Sequence, residues 1–311
     1  MQFGMVMDPI GSIHVEKDSS FAMLLAAQRR GWTLFYLTLQ DLFLKDQQVW
    51  GRMRTLEVQD DPQDWYRFTG EITQPCDRLD LLFMRKDPPV DRECLHATYL
   101  LERVAASGTL VVNHPQALRD ANEKLFTLEF PDCVPPTLVS CQADPILDFL
   151  QQEGDLILKP LDNMGGSGIF RVRQGDPNTN VILETLTQWG KSFCIAQRFL
   201  PEIDQGDKRI LLVAGQPVPF ALARIPKAGE TRGNLAAGGR GVGRTLTERD
   251  RWIAQRVGPV LLRRGIYFAG LDVIGDFLTE INITSPTCIR ELDARYGLDI
   301  AGDLLNYLEA Q

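Results

Sequence analysis

Apolar and polar residues alternate with two different periods over the first third of the chain. Short apolar runs of strand length are separated by longer stretches in which apolar residues recur at helical spacing. The pattern predicts the order strand, helix, strand twice, at residues 2–7, 18–30 and 32–39 and again at residues 79–84, 92–107 and 109–112. This order is typical of a doubly wound α/β layer.

The turn after the first predicted strand reads Asp8-Pro9-Ile10-Gly11-Ser12. A dinucleotide site would need the glycine fingerprint G-x-G-x-x-G at this turn, and the fingerprint is absent. We therefore expect the α/β layer to hold a substrate and not NAD.

The pattern changes near residues 113–115, where we expect a domain boundary. A polar helix is predicted at residues 117–129, and several prolines follow it. Further apolar runs predict strands at residues 156–159, 169–173, 193–198, 208–213 and 218–224 and a helix at residues 181–187. These elements indicate an α+β unit.

Two apolar runs near the end of the chain carry three side chains that suit a metal ion, Asp272, Glu280 and Asn282. In a strand, Glu280 and Asn282 lie on the same face. Asp272 joins them there if the connecting loop has three residues, 275–277, whereas a two-residue turn would put it on the other side. We therefore predict the three-residue loop. Two carboxylates and an amide oxygen suit Mg²⁺, although acidic residues are also common on solvated hairpin faces.

A glycine-rich loop, Gly165-Gly166-Ser167-Gly168, follows Lys159 at the end of a predicted strand. Glycine permits the positive φ angles and the close approach that let backbone N–H groups surround a phosphate, and Lys159 adds a positive charge beside them. An ordinary glycine hairpin is the alternative. The lysine at the strand end favours a phosphate site.

A long segment, residues 224–244, combines six glycines with arginines at positions 224, 232, 240 and 244. Long segments without structure inside a compact domain are usually lids or disordered linkers. Because disordered linkers are richer in Ser, Pro and Glu, we predict a mobile cover that closes over phosphate and carboxylate groups.

The sequence leaves the roles of two further features undecided. Lys124 lies on the predicted polar helix, where a lysine is usually just solvated. Residues 193–201 read as a strand whose backbone either binds an adenine edge or simply continues the core.

The composition limits the classes of function. The chain has 311 residues, 44% of them hydrophobic, a formal net charge of -8 and no long Lys/Arg run, which argues against nucleic acid or an anionic membrane as the main partner. Six cysteines form no C-x-x-C pair and there are three histidines, so neither zinc nor Ser-His-Asp or Cys-His catalysis is expected. The first residues read as neither a signal peptide nor a membrane span, and we expect a cytoplasmic protein.

Several segments resemble the bacterial glutathione synthetases, a family of the ATP-grasp superfamily. The matching segments extend over essentially the whole chain and are MVMDPI, KDSSFAMLLAAQRRG, MRKDPP, NEKLFT, ILKPLDNMGGSGIFRV, ARIPKAGETRGNLAAGGRG and LTEINITSPTCIREL. One departure is the phosphate loop, which reads Gly-Gly-Ser-Gly where the family pattern has Gly-Gly-Ala-Ser.

The resemblance implies an ATP-grasp fold, part α/β and part α+β, preceded by an N-terminal Rossmann-like α/β domain. We place the domains at residues 1–121, 122–200 and 201–311, with a flexible loop at residues 225–245. The implied activity is ATP-dependent ligation of γ-L-glutamyl-L-cysteine and glycine to glutathione through an acyl phosphate, with release of ADP and phosphate. The resemblance also implies Mg²⁺ or Mn²⁺ as cofactor and a homotetramer or homodimer.

The resemblance assigns roles to individual residues as well. Arg209, Arg224 and Arg232 would be catalytic, neutralising the transferred phosphoryl group and a substrate carboxylate. The nucleotide would be bound by Lys124, Lys159, Gly165, Gly166, Ser167, Gly168, Gln197, Arg198, Phe199 and Leu200. The metal would be bound by Asp272, Glu280 and Asn282, with Glu280 bridging two ions. The peptide would be bound by Ser19, Ser20, Arg85, Ser285, Pro286 and Thr287.

Three other functions fit parts of the pattern. A D-alanine–D-alanine or peptide-glutamate ligase would use the same nucleotide machinery with another acceptor. A non-catalytic ATP-binding regulator is expected to lack a metal carboxylate, and here all three metal positions are filled. A periplasmic-type binding protein would need an export signal, which the first residues do not suggest.

Overall fold

The computed structural model describes residues 1–162, 165–227, 229–230, 233 and 238–311. Within these residues the strands form three sheets, of seven, four and five strands. The first sheet contains β1 (Gln2–Met7), β2 (Thr33–Leu37), β3 (Leu42–Lys45), β4 (Gln48–Val58), β5 (Tyr66–Pro75), β6 (Leu81–Arg85) and β7 (Leu110–Val112). Three helices accompany it in the chain, α1 (Ser19–Arg29), α2 (Arg92–Ala106) and α3 (Pro115–Asp120).

The centre of the first sheet is parallel, in the order β2, β1, β6, β7. Five of the six residues of β1 are buried, as expected for a strand covered on both faces. Asp18 accepts a hydrogen bond from the Phe21 N–H (2.7 Å) and thereby caps α1. The predicted α/β layer is therefore confirmed, and β3 to β5 extend it by antiparallel strands that the apolar pattern did not predict.

The second sheet is antiparallel, in the order β10, β9, β11, β8. Its strands are β8 (Thr137–Ser140), β9 (Asp155–Pro160), β10 (Phe170–Arg173) and β11 (Cys194–Arg198). The helices α4 (Ala143–Glu153) and α5 (Thr179–Thr187) belong to this part of the chain, and their apolar residues share a separate core with the sheet.

The third sheet is also antiparallel, in the order β14, β13, β12, β15, β16. Its strands are β12 (Asp207–Val213), β13 (Gln216–Ile225), β14 (Arg240–Thr245), β15 (Phe268–Ile274) and β16 (Phe277–Asn282), and its helices are α6 (Glu248–Arg263), α7 (Ile289–Tyr296) and α8 (Ile300–Glu309). Short 3₁₀ turns lie at Ile10–Ser12, Leu39–Asp41, Cys76–Arg78, Leu125–Glu129 and Pro201–Gln205. The predicted strands from 156 onward are all confirmed to within two residues.

The predicted helix at residues 117–129 is wrong, because the helix ends at Asp120 and a 3₁₀ turn follows only at Leu125. The Asn122 side-chain oxygen accepts hydrogen bonds from the N–H groups of Lys124 and Leu125, both at 3.1 Å. An asparagine side chain that binds nearby N–H groups competes with helical hydrogen bonding. The interruption frees the Glu123 carbonyl to accept a hydrogen bond from the Ile281 N–H on β16 (2.8 Å).

The prediction of a flexible loop at residues 225–245 is wrong for its last part, which forms β14 and pairs with β13 from Phe220–Thr245 to Ile225–Arg240. Glycine in this part makes room for a neighbour. A Cβ atom on Gly243 would lie 2.3 Å from the hydroxyl of Tyr296, whose ring stacks on Phe220. Glycine there therefore indicates close packing and not mobility.

None of the helices in the described part of the chain combines the length and the apolar content needed to cross a bilayer.

Candidate active site

A row of charged side chains crosses one face of the third sheet. The strand register pairs Arg209 of β12 with Asp272 of β15, and Asp272 with Glu280 of β16. Directly paired residues on neighbouring strands have their side chains on the same face. The sheet therefore presents a guanidinium and two carboxylates side by side.

The hairpin that carries the two carboxylates has the predicted pairing but not the predicted loop. Ile274 pairs with Phe277, so the turn consists of Gly275 and Asp276, and the three-residue loop is wrong. The register shifts between Asp272 and Val273, where Thr279 is an extra residue in β16. Such a bulge reverses the alternation of side chains once. It therefore brings Asp272 opposite Glu280 even though the turn has only two residues.

Asp272 is held by two arginines. Arg209 binds both of its carboxylate oxygens, at 2.5 and 3.0 Å, and the guanidinium of Arg224 lies 2.9 Å from Oδ2. All three side chains are almost completely buried. Burial by itself would raise the pKa of Asp272, but the two guanidiniums outweigh it and hold this pKa well below its usual range. Asp272 is therefore an ionised carboxylate in the interior of the protein.

Asp207 is a site residue that the sequence analysis missed. It lies two residues before Arg209, pairs with Arg224 across the sheet and accepts a hydrogen bond from that guanidinium through Oδ2. Its other oxygen, Oδ1, is buried and has no hydrogen-bond partner among the residues that the structure describes. Burial, opposed by Arg224, raises the pKa of Asp207 to about 6. The spacing of two residues from Arg209 was the available signal, because it puts both side chains on one face.

Glu280 lies among lysines that come from two other elements. The Nζ atoms of Lys124 and Lys159 are 3.9 and 4.0 Å from Glu280 Oε1. Glu123, a second residue that the sequence analysis missed, accepts a hydrogen bond from Lys124. Burial opposes the charge of Lys124, but the carboxylates of Glu280 and Glu123 raise its pKa above the ordinary value. The interruption of the predicted helix at Asn122 is what brings Lys124 to this face.

The donors on this hairpin fit a hard cation. Among the residues that the structure describes, no three His, Cys, Asp or Glu side chains converge as a metal cluster. Mg²⁺ does not need such a cluster, because it is commonly bound through one or two carboxylates together with water and substrate phosphates. Next to burial, repulsion from Glu280 is the largest cause of the raised Glu123 pKa. Asn282 adds an amide, whose nitrogen donates to the Gly270 carbonyl (3.4 Å).

A first cavity lies between the second and third sheets and has a volume of about 840 Å³ including its open mouth. Of the residues expected to bind a nucleotide, all except Gly168 line it, namely Lys124, Lys159, Gly165, Gly166, Ser167, Gln197, Arg198, Phe199 and Leu200. Gly165, Gly166 and Gly168 have φ angles of 67, 83 and 71°. These values are accessible mainly to glycine, and they confirm a loop and not a helix-opening P-loop after β9.

The strand segment that would hold adenine is fixed from both sides. The Phe199 N–H donates to the Asp155 carbonyl (2.9 Å), and the guanidinium of Arg171 lies 3.4 Å from the Phe199 ring centroid. Arg171 in turn binds Asp155. Because Ile157, Ile203 and Ile274 also line the cavity, its walls at this end are apolar, as a planar base requires.

The predicted cover reaches the same cavity at Gly233. A Cβ atom at this position would lie 2.4 Å from the Arg224 carbonyl oxygen and 3.2 Å from the Asp207 Cβ. Only glycine therefore fits over this pair of residues. Arg232, the predicted catalytic arginine of the cover, lies outside the described residues.

A second cavity, of about 810 Å³ including its mouth, adjoins the first. Gly165 and Glu280 line both. The second cavity is also lined by Arg209, Arg224 and Asn282 and by the predicted peptide residues Ser285, Pro286 and Thr287. Asp87 and Cys288 line it as well, and nothing in the sequence pattern singled them out.

The other three predicted peptide residues, Ser19, Ser20 and Arg85, do not line this cavity. Arg85 donates to Ser20 Oγ (3.0 Å) and to the carbonyls of Thr284 (3.4 Å) and Pro286 (3.0 Å). Burial lowers the pKa of Arg85 to about 10. Ser19 accepts a hydrogen bond from the Ile289 N–H (3.2 Å). These three residues support the segment that lines the cavity, and their direct contact with a substrate stays a prediction.

Comparisons with known proteins find relatives over the whole length of the chain. The family model of the prokaryotic glutathione synthetase N-terminal domain matches residues 1–119, and that of the prokaryotic glutathione synthetase ATP-grasp domain matches residues 123–297. The glutathione synthetase of Pseudomonas aeruginosa is 58% identical over 100% of this chain and 98% of its own length. That of an Escherichia coli strain is 56% identical over 100% of this chain and 98% of its own length.

Solved structures support the fold at much lower identity. D-cycloserine synthetase DcsG has a TM-score of 0.67 at 14% identity, covering 98% of this chain and 99% of its own. ATP-grasp ligase PsnB, in a complex with minimal precursor, Mg and ADP, has a TM-score of 0.63 at 16% identity, covering 99% of this chain and 97% of its own. The fold is thus the ATP-grasp fold, and the chain belongs to the prokaryotic glutathione synthetase family.

Proposed function

We propose that this protein is an ATP-dependent carboxylate–amine ligase that joins γ-L-glutamyl-L-cysteine to glycine and releases glutathione, ADP and phosphate. Family membership supports this reaction, since full-length relatives at 55–59% identity are glutathione synthetases. The structural observation that carries the proposal is the meeting of two cavities at Glu280, one with the features of a nucleotide site and one lined by arginines.

The chemistry explains why two adjoining sites are needed. A carboxylate does not react with an amine at neutral pH, because its oxygen is a poor leaving group. Transfer of the γ-phosphoryl group of ATP to the terminal carboxylate of the dipeptide forms an acyl phosphate, from which phosphate leaves when the amine of glycine attacks. The transfer requires the two reactants in line and close together. Cavities that share a wall at Gly165 and Glu280 supply that arrangement.

The residues around the shared wall act by charge and position. Lys124, Lys159 and the backbone N–H groups of the glycine loop bind the phosphates. Arg209 and Arg224 hold permanent positive charge beside the peptide cavity, where negative charge develops during transfer. Their geometry is fixed by Asp272 and Asp207 before any substrate binds. No nucleophilic side chain is required, since the attacking groups belong to the substrates.

The cofactor in this proposal is Mg²⁺ or, in its place, Mn²⁺. Glu280, Asn282 and Asp272 would hold it, and it would neutralise the phosphate oxygens and orient them. This role for Asp272 is compatible with its ion pairs, because a carboxylate has about four acceptor sites.

We divide the chain at residues 121 and 200, and we place Arg232 on the cover, where it would approach the transferred phosphoryl group. A homotetramer or homodimer is supported by the free edge of β5, which pairs with β4 and with no other strand in the described residues. The six cysteines are free thiols, which is consistent with a reducing, cytoplasmic location.

The direct test measures ADP release with ATP and Mg²⁺ present. We expect slow release with the dipeptide alone, fast release when glycine is added, and glutathione as the product identified by mass. ADP release that does not depend on the dipeptide would contradict the proposal.

A second set of reactions separates the ligase alternatives. D-alanine and glutamate replace glycine as acceptors, and D-alanine replaces the dipeptide as donor. We expect no ligation product above background in these reactions, and a product from D-alanine alone would assign the protein to the other class of ligase.

A further inference from the structure

The junction between the first and third sheets depends on one buried side chain, Asn113. It follows β7 directly, at the end of the last parallel strand of the first sheet, and it is only 4% exposed. No substrate or metal role falls to this residue in the site described above. Its amide group is nevertheless fully used in hydrogen bonds to another sheet.

Four hydrogen bonds connect the Asn113 side chain to the hairpin of β15 and β16. Its Nδ2 donates to the carbonyl oxygens of Phe268 (2.7 Å) and Ile283 (2.6 Å). Its Oδ1 accepts from the N–H groups of Tyr267 (2.9 Å) and Phe268 (3.1 Å). An asparagine amide has two N–H donors and one oxygen acceptor. All of them are directed at the two open ends of the hairpin.

These hydrogen bonds connect the two strands beyond their last directly paired residues. The strand pairing of the hairpin ends at Gly270 and Asn282. Beyond that pair the two segments of the hairpin, both within the described residues, are not paired with each other. The Asn113 amide instead connects Phe268 on one segment with Ile283 on the other. The Ile283 carbonyl is the first main-chain acceptor after Asn282, so Asn113 fixes the backbone next to a proposed metal ligand.

The three proposed metal ligands differ in how firmly the protein holds them. Asp272 is fixed by two arginines, and Glu280 sits opposite it within the ladder. Asn282 lies at the last pair of the ladder, the end that opens most easily in a hairpin. Asn282 therefore depends most on support from outside its own sheet.

We propose that Asn113 is a positioning residue for the metal site, acting through Ile283 on the backbone and side chain of Asn282. The His114 N–H, bound to the Gly265 carbonyl (3.0 Å), and Arg85, bound to the Thr284 and Pro286 carbonyls, extend the same junction on either side. The first sheet thus fixes the position of the hairpin end that carries Asn282. This inference rests on the proposed function only for the identity of the ion.

The test uses the full chain with Asn113→Ala and the milder Asn113→Ser, and with Val112→Ala as the matched control. Val112 is the neighbouring buried residue, and its truncation destabilises the same junction without removing a hydrogen bond to the hairpin. The first readout is hydrogen–deuterium exchange, without any ligand, of the amides of Tyr267 and Phe268, which donate to Asn113 Oδ1, and of the Asn282 amide. We expect exchange at least 10-fold faster in Asn113→Ala, an intermediate rate in Asn113→Ser, and a much smaller increase in Val112→Ala.

The second readout is Mn²⁺ affinity, measured by electron paramagnetic resonance in the presence of saturating ADP. Loss of an outer partner of a metal ligand typically weakens metal binding 10–100-fold. We expect the Mn²⁺ dissociation constant to rise about 10-fold in Asn113→Ala, with a much smaller change in the dissociation constant of ADP measured without metal. Unchanged exchange and Mn²⁺ binding in both Asn113 variants, or equal changes in Val112→Ala, would overturn the proposal.

The two proposals fail in different ways. A wild-type chain that makes no glutathione would refute the proposed function and leave the exchange measurement valid, because that measurement needs no substrate. If Asn113→Ala does not fold, the same two measurements on Asn113→Ser decide the question.

Discussion

Asp272 and Glu280 are paired across one hairpin, and yet the protein holds the two carboxylates in opposite ways. Asp272 is 2% exposed and bound by two guanidiniums at 2.5–3.0 Å. Glu280 is more exposed, and its nearest lysine nitrogens lie at 3.9 and 4.0 Å. A buried ion pair with several hydrogen bonds is costly to break, whereas a looser pair is worth little. Asp272 therefore fixes the two arginines and has only its remaining acceptor sites for a cation, whereas most of the Glu280 carboxylate is available to a ligand.

The largest effect is expected for Asp272→Asn. The change leaves Arg209 and Arg224 buried with less negative charge to balance them, and breaking such a pair costs roughly 3–5 kcal/mol. We expect the thermal midpoint to fall by about 6 °C or more and ligation to be lost. Differential scanning fluorimetry and the ADP assay measure the two effects. A stable variant with normal activity would show that the arginines do not depend on this carboxylate.

The next effect in size is that of Glu280→Gln, which separates activity from stability. Lys124 keeps Glu123 as a partner, and repulsion between Glu123 and Glu280 is removed, so we expect stability to change by no more than about 1 kcal/mol. We expect kcat to fall by about 10³-fold, because a ligand of the activating cation is lost. Asp276→Asn in the exposed turn of the same hairpin is the control. A large drop in stability for Glu280→Gln would remove the distinction between the two carboxylates.

Removal of the cover tests whether Arg209 and Arg224 suffice for phosphoryl transfer. Because Ile225 pairs with Arg240, residues 229–239 can be replaced by a short Gly-Ser linker without disturbing β14. We expect dipeptide-dependent ADP release to continue at a lower rate, because Arg232 is removed, while the glutathione formed per ADP falls about 10-fold as water reaches the acyl phosphate. A ratio that stays near one would mean that the cover does not exclude water.

Much of the site was predictable from sequence because its side chains repeat at strand spacing. Glu280 and Asn282 alternate with the buried residues Ile281 and Ile283. This period of two predicted both the strand and the face on which the metal ligands lie. The turn was predicted wrongly, since the prediction did not include the bulge at Thr279, where Thr279 Oγ1 donates across the hairpin to the Asp272 carbonyl (3.1 Å). Local sequence propensities do not predict that contact.

The other unpredicted parts of the site combine a local interruption at Asn122 with contacts between distant segments. Asn122 interrupts a helix that the pattern favoured, and the freed Glu123 carbonyl then binds β16. Arg85 has the charge expected of a carboxylate ligand, but its donors are directed to main-chain carbonyls about 200 residues later in the chain. A single sequence shows which residues carry charge and not which partner each one meets.

Asp293 provides the smallest and most specific test, because it is a partly buried carboxylate whose hydrogen-bond partner is a backbone N–H, that of Ile300 at 3.1 Å. Burial raises its pKa to about 6, opposite to the shift of Asp272 with its two arginines. A carboxyl group with a raised pKa keeps its proton more tightly in the folded state than in the unfolded state. Its contribution to stability is therefore complete below about pH 4 and is lost as the pH rises through 6.

Asp293→Asn removes this loss and keeps an oxygen acceptor for the Ile300 N–H. We expect the variant to be about 1 kcal/mol more stable than the wild type at pH 7.5, a value reduced for the partial exposure of the group, and nearly equal to it at pH 4.5. Urea unfolding at the two pH values measures the difference. If variant and wild type are equally stable at both pH values, burial does not raise the pKa of Asp293. The desolvation cost that Arg209 and Arg224 offset at Asp272 would then be smaller than we infer.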